Sequence, residues 1–159
     1  MRRLVCQMMT SLNGRIDSPF EWMNELSEDH YADVEAAYRT FDTIVVGRVT
    51  SEEMAEFWPT ALNDADASPA HRKMAKHMHG YRKLVITRDD EFIPKWNNAE
   101  AVVVRNDDDI IALATRLQNE SGRDVHVAGG AQLAQTFARL NLIDAYRLYV
   151  IPNVSAGKL

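Results

Sequence analysis

The chain has 159 residues, 46% of them hydrophobic, a formal charge of −5 and one cysteine. That length and apolar content supply one domain, residues 1–159, with a sizeable core, and the acidic balance excludes a broad electrostatic footprint for nucleic acid. Cys6 has no second thiol to pair with, which fits a reduced, cytoplasmic setting.

Met1-Arg2-Arg3-Leu4 lacks the apolar region of a signal peptide, and no run approaches the roughly 18 apolar residues of a membrane span. Leu4 to Met9 is mostly apolar with little alternation, which predicts a strand in the sheet interior. Ser11-Leu12-Asn13-Gly14-Arg15 follows as a turn, since Asn-Gly tolerates left-handed backbone. Trp22 and Met23 lie in an irregular stretch ending near Ser27, a candidate N-cap. Tyr31, Val34, Tyr38 and Phe41 fall at helical spacing across Glu28 to Phe41. Thr43 to Val46 reads as a strand, and Thr50 with Glu53 matches a capping box for the next helix. Trp58-Pro59 predicts the end of that helix, because proline disfavours helix in the residue before it. Thr60 to Ala67 then reads as a surface loop. Ser68-Pro69 opens a helix with His71, Met74, Ala75 and Met78 on one side, stopping by Gly80. Lys83 to Thr87 and Ala101 to Val104 read as strands. Asp108 to Gln118 places Ile110, Ile111, Ala114 and Leu117 on one helical face. Asp124 to Ala128 is a strand, Ala131 to Leu140 a helix, and Ala145 to Ile151 the last strand. The alternation predicts an α/β layered domain with a largely parallel sheet.

Two stretches repeat one physical arrangement. Val45-Val46-Gly47-Arg48-Val49-Thr50 and Val127-Ala128-Gly129-Gly130-Ala131 each run an apolar strand through glycine into a helix. A helix start leaves N–H groups unpaired at the positive end of the macrodipole, and glycine lets a phosphate approach the backbone. Arg48 adds a forked cation. Either these sites hold a dinucleotide by its phosphates, or they are a capped helix with a solvated arginine and a tight glycine turn. Neither the G-x-G-x-x-G pattern nor a Gly-Lys-Ser/Thr loop is present. Thr87-Arg88 ends a third strand at the same expected edge, where open α/β sheets bind ligands; Arg88 either meets an anion there or pairs with Asp89 or Asp90. No metal site is expected. His77 and His79 are two apart on a helix and point apart, and no Cys/His cluster accompanies them.

The ordered set Ser11-Leu12-Asn13-Gly14-Arg15-Ile16, Val46-Gly47-Arg48-Val49-Thr50, Val127-Ala128-Gly129-Gly130-Ala131-Gln132-Leu133 and Leu142-Ile143-Asp144-Ala145-Tyr146-Arg147-Leu148, with the Pro152-to-Gly157 tail, resembles a known family. It is similar to the reductase domain of bacterial riboflavin biosynthesis and its stand-alone relatives in the dihydrofolate reductase superfamily. The resemblance implies a three-layer dihydrofolate reductase-like fold, with a mixed, mostly parallel sheet flanked by helices and NADPH across the strand ends. Gly47, Arg48, Val49 and Thr50 would meet cofactor phosphates, and Thr87 and Arg88 the adenosine 2′-phosphate. Ala128, Gly129, Gly130, Ala131, Gln132 and Leu133 would cradle the pyrophosphate, while Asn13 and Gly14 would lie by the nicotinamide and substrate.

The implied activity is hydride transfer from NADPH to a small heterocycle of pterin or pyrimidine type, by a homodimer. The family's riboflavin members commonly carry Asp where Asn13 stands, and an amide cannot act as an acid; Asp29 is the alternative proton donor. A non-catalytic nucleotide-binding module of the same fold is the rival reading. Relatives usually continue into a further strand beyond Leu159.

Overall fold

A computed structural model describes residues 1–23 and 26–156. Strands and helices follow one another as β1 (Leu4–Ser11), α1 (Glu28–Tyr38), β2 (Phe41–Gly47), α2 (Arg48–Asn63), α3 (Pro69–Gly80), β3 (Arg82–Thr87), β4 (Ala99–Val103), α4 (Asp107–Asn119), β5 (Asp124–Gly129), α5 (Ala131–Arg139) and β6 (Ala145–Ile151). The strands form one sheet in the order β4-β3-β2-β5-β1-β6. Every pairing among the described residues is parallel, so the antiparallel element of the expected mixed sheet is not among them. The further strand expected beyond Leu159 and the end of the tail at Gly157 lie outside the described residues.

Helices cover both faces. Val34 and Tyr38 of α1, Trp58 and Ala61 of α2, and Met74, Ala75 and Met78 of α3 pack on one side of the sheet with Val5 and Ile44. Ile110, Leu113, Ala114 and Leu117 of α4 and Phe137 of α5 pack on the other with Leu4, Val45, Leu84, Val125 and Val127. The interior strands are apolar on both faces for this reason. Ser27, Ser68 and Asn106 cap α1, α3 and α4 by accepting from the backbone N–H groups of His30, His71 and Asp109.

Four local expectations change. Helix α1 stops at Tyr38, and Phe41 is the fully buried first residue of β2. The helix-start residue of α2 is Arg48, with Gly47 at the N-cap, so Thr50 stands inside the first turn and caps nothing. Pro59 lies within α2, which runs on to Asn63. Burial of Trp58 and Ala61 holds that turn against the core, and Asn63 Nδ2 bonds the Pro59 carbonyl at 2.8 Å; tertiary packing outweighs the proline signal. Ile111 is exposed while Leu113 takes the buried position on α4.

At the amino end of the strands, Arg2 is buried and bonds Asp42, Glu120 and the Thr43 hydroxyl. Lys83 is fully buried too. Its Nζ donates to the carbonyls of His79 and Tyr81 and sits 4.7 Å from the Trp96 ring centroid, and burial pushes its pKa down to about 8.

Candidate anion-binding site at the strand ends

Parallel pairing places the carboxyl ends of β2, β3, β4 and β5 along one edge. A cavity of about 600 Å³ opens there, on the α4 and α5 side. Gly47, Arg48, Val49 and Thr50 form one wall; Thr87 and Arg88 close the end of β3; Gly130, Ala131, Gln132 and Leu133 supply the start of α5. Two stretches some 80 residues apart in sequence, each a glycine leading into a helix, therefore face one space.

Helices α2 and α5 begin at glycine N-caps, with no side chain bonding their first amides. The other three long helices carry such a cap. The first N–H groups of a helix need partners and repel no anion, so the two uncapped starts leave donors for something that arrives from the cavity. A Cβ built on Gly130 would lie 3.0 Å from Thr50 Oγ1, and one on Gly47 would meet nothing within 4 Å. Gly130 thus lets the α5 start pack against Thr50, and Gly47 leaves open space.

Four guanidinium groups line the cavity: Arg48, Arg88, Arg105 and Arg139. Arg105 pairs with Asp90 at 2.6 Å, and Arg139 with Asp107 at 2.7 Å. Among the described residues neither Arg88 nor Arg48 has a carboxylate partner, and Arg48 lies 5.8 Å from the Phe92 ring. Thr87 is buried, and its hydroxyl accepts from the Asp89 amide at 3.0 Å. A concave, partly apolar space walled by unpaired amides, three hydroxyls and four guanidiniums fits a ligand with several phosphate oxygens.

Other expected residues lie elsewhere. Ala128 and Gly129 stand behind the cavity wall: Ala128 packs on the α1–α3 side. Gly129 is buried at φ +91°, with a Cβ position 3.1 Å from Met8 Cε. Gly14 takes φ +83° in the turn after β1. Asn13 is exposed. Its Oδ1 accepts from Ser11 Oγ at 2.8 Å and from the Ser155 amide at 3.2 Å, and its Nδ2 donates to the Ser155 carbonyl at 3.1 Å. Its amide therefore clips the tail to the β1 turn. Asp29 is exposed in the first turn of α1. Neither Asn13 nor Asp29 lines the 600 Å³ cavity.

The histidines have local partners: His71 stacks on Tyr31 with centroids 5.1 Å apart, and His77 bonds Glu35 at 2.9 Å. Arg105, Asn106 and Arg139 line the cavity without having been singled out in the sequence. For Arg105 the signal was present. Gly47-Arg48, Thr87-Arg88 and Val104-Arg105 each put arginine just past a strand, and those three strands are neighbours in the sheet.

Comparison with known proteins gives a consistent result. A family model for the RibD C-terminal domain matches residues 2–155. Two uncharacterized Bacillus subtilis (strain 168) proteins, YyaP and YwjB, are each 26% identical to the chain; the matches cover 96% of it and 76% and 78% of the relatives. A crystal structure of a putative riboflavin biosynthesis protein from Shewanella sp. PV-4 matches with a TM-score of 0.59 at 18% identity, covering 99% of this chain and 81% of that one. The Thermotoga maritima diaminohydroxyphosphoribosylaminopyrimidine deaminase/5-amino-6-(5-phosphoribosylamino)uracil reductase matches with a TM-score of 0.62 at 14% identity, over 99% of this chain and 47% of that one. Dihydrofolate reductase from Enterococcus faecalis, complexed with NADP(H), matches with a TM-score of 0.59 at 16% identity, over 98% and 74%. At these identities the structural matches establish a dihydrofolate reductase-like fold.

Proposed function

Because this chain belongs to the RibD C-terminal domain family, we propose that it is an NADPH-dependent reductase acting on a small heterocycle of pterin or pyrimidine type. The observation that carries the reading is the pair of uncapped helix starts facing one cavity between four arginines. The amides of α2 and α5 and the Thr50 hydroxyl take the pyrophosphate. Arg88 and Thr87, with Arg105 beside them, take the 2′-phosphate, since charge-assisted bonds from a forked donor suit that group. Gly47 and Gly130 keep the backbone accessible. The nicotinamide, when bound, supplies the hydride, and the protein's part is position and electrostatics.

Proton delivery falls to water or to Asp29, because the Asn13 amide has no titratable proton and is already bonded to Ser11 and Ser155. That same occupied amide favours the rival reading, a nucleotide-binding module without catalysis. NADPH oxidation measured with a panel of pterins, pyrimidines and quinones separates the two: binding without turnover on any of them selects the module, and absence of NADPH binding ends both. The reading includes a cytoplasmic homodimer. Exposed Tyr146, Leu148 and Val150 on the edge strand β6 support self-association, and light scattering measures it.

A further inference from the structure

The lining of the strand-end cavity changes character along its length. Arg48, Arg88 and Arg105 follow the neighbouring strands β2, β3 and β4 and gather positive charge beside the starts of α2 and α5. Between α4 and α5 the lining turns apolar, with Ile86, Val104, Ile110 and Leu133. Asp107 is the one carboxylate among the described residues that line the cavity. A carboxylate in an anion-binding wall opposes the ligand unless a cation neutralises it. Arg139 does so: it stands eight residues past Ala131 on α5, about 12 Å along the helix, and its two terminal nitrogens meet the Asp107 oxygens at 2.7 and 2.9 Å. Both side chains are half exposed, a setting in which an ion pair adds little to folding. This part of the cavity is therefore an apolar wall edged by a neutral pair, which suits an uncharged flat ring and no phosphate.

The pair keeps bonding capacity of its own. Each carboxylate oxygen has a further lone pair, and the guanidinium has donors beyond the two it gives to Asp107, so an acceptor and a donor stand side by side. Resting on the reductase reading above, which puts the phosphates at the arginine row, we infer that the Asp107–Arg139 pair reads the purine edge of the cofactor. An Asp107 oxygen accepts from the 6-amino group of adenine, and Arg139 donates to the adjacent ring nitrogen. A 6-oxopurine presents the reverse edge, an oxygen against the carboxylate and an N–H against the guanidinium. Ribose phosphates held at Arg88 and Arg105 keep the base from turning over to correct the mismatch. Asp107 and Arg139 are thus specificity-determining residues for the base, distinct from the arginines that choose between NADPH and NADH.

The test uses the reduced hypoxanthine analogue of NADPH, in which the purine 6-amino group is replaced by oxygen, and titrates both cofactors by nicotinamide fluorescence. The parent protein binds NADPH at least about tenfold more tightly than the analogue. Asp107→Asn brings that ratio close to one, because an amide both accepts and donates and so serves either base. Removing a negative charge from the wall strengthens both cofactors alike and cancels in the ratio. Arg139→Met narrows the ratio too, while the preference of Asp107→Asn for NADPH over NADH stays at the parent value; a pair that only held α4 to α5 would leave the base ratio unmoved. Equal binding of the two purine cofactors by the parent, or a parent-like base ratio in Asp107→Asn, overturns the inference and leaves NADPH binding standing. Failure of the parent to bind either cofactor removes the reductase reading, and this inference with it.

Discussion

Replacing Gly47 and Gly130 one at a time separates what the cavity wall does for the fold from what it does for a ligand. Gly47 sits at φ −74° and ψ 156°, where alanine is at ease, and a Cβ there meets no atom within 4 Å. Alanine is a poorer N-cap by about 0.5–1 kcal/mol, and the stiffer unfolded chain offsets about 0.4–1 kcal/mol of that. Gly47→Ala should therefore fold with stability close to the parent. Its methyl group nevertheless enters the space assigned to phosphate oxygens. Gly130 has an equally ordinary φ of −60°, but its Cβ would lie 3.0 Å from Thr50 Oγ1. Gly130→Val must push that hydroxyl aside, at an overpacking cost of about 1–3 kcal/mol. Each change should weaken NADPH binding by about 10–100-fold, since every factor of ten corresponds to about 1.4 kcal/mol. NADPH fluorescence titrations and urea midpoints on the same preparations supply both numbers. Parent-like affinity in two folded variants would refute the assignment of this wall to phosphate.

Arg88→Ala and Arg105→Ala should each narrow the preference for NADPH over NADH by about tenfold, read from paired titrations; an unchanged ratio removes those arginines from the 2′-phosphate. Glu35 is 4% exposed and accepts from Arg39 and His77, and the Arg39 bonds lead in holding its carboxyl down to about 2. Its contribution is complete above the unfolded value near 4.5 and disappears as pH falls through about 2. Between pH 6 and 3.5 the parent should accordingly lose about 1.4 kcal/mol more stability than Glu35→Gln, and parallel urea-midpoint curves would contradict this. Arg2→Met should cost about 1–3 kcal/mol by the same measurement, because it takes the buried guanidinium from Asp42 and the Thr43 hydroxyl, while Glu120 keeps Arg82.

Most of the layer order was legible in the sequence, because each strand is an apolar run bounded by turns and each long helix shows its cap or its stripe. Ser27 and Ser68 were read directly as helix starts. Pro59 misled, since the burial of Trp58 and Ala61 that carries α2 past it depends on contacts from distant elements. Phe41 kept helical spacing with Tyr38 but belongs to β2, and only strand pairing decides that. For the site, local pattern revealed the two glycine turns and Thr87-Arg88. It could not reveal Arg139, nine residues into a helix region, or the pairing of Asp90 with Arg105.

The position of β1 between β5 and β6 has a consequence for how the protein is made. Leu4 pairs with Val125, and its carbonyl receives the Asp144 amide, so β1 leaves the ribosome more than a hundred residues before either of its neighbours. At about 5–20 residues per second, roughly ten seconds pass in which Leu4-Val5-Cys6-Gln7-Met8-Met9 has no ladder to join. Strands β2, β3 and β4 are consecutive neighbours and can pair in the meantime, leaving a slot beside β2 that β5 fills before β1 can enter. Vectorial synthesis thus leaves a largely buried strand exposed and unpaired until β5 and β6 emerge. An N-terminal fragment ending before Asp124 should accordingly be captured by chaperones, whereas the full chain is released.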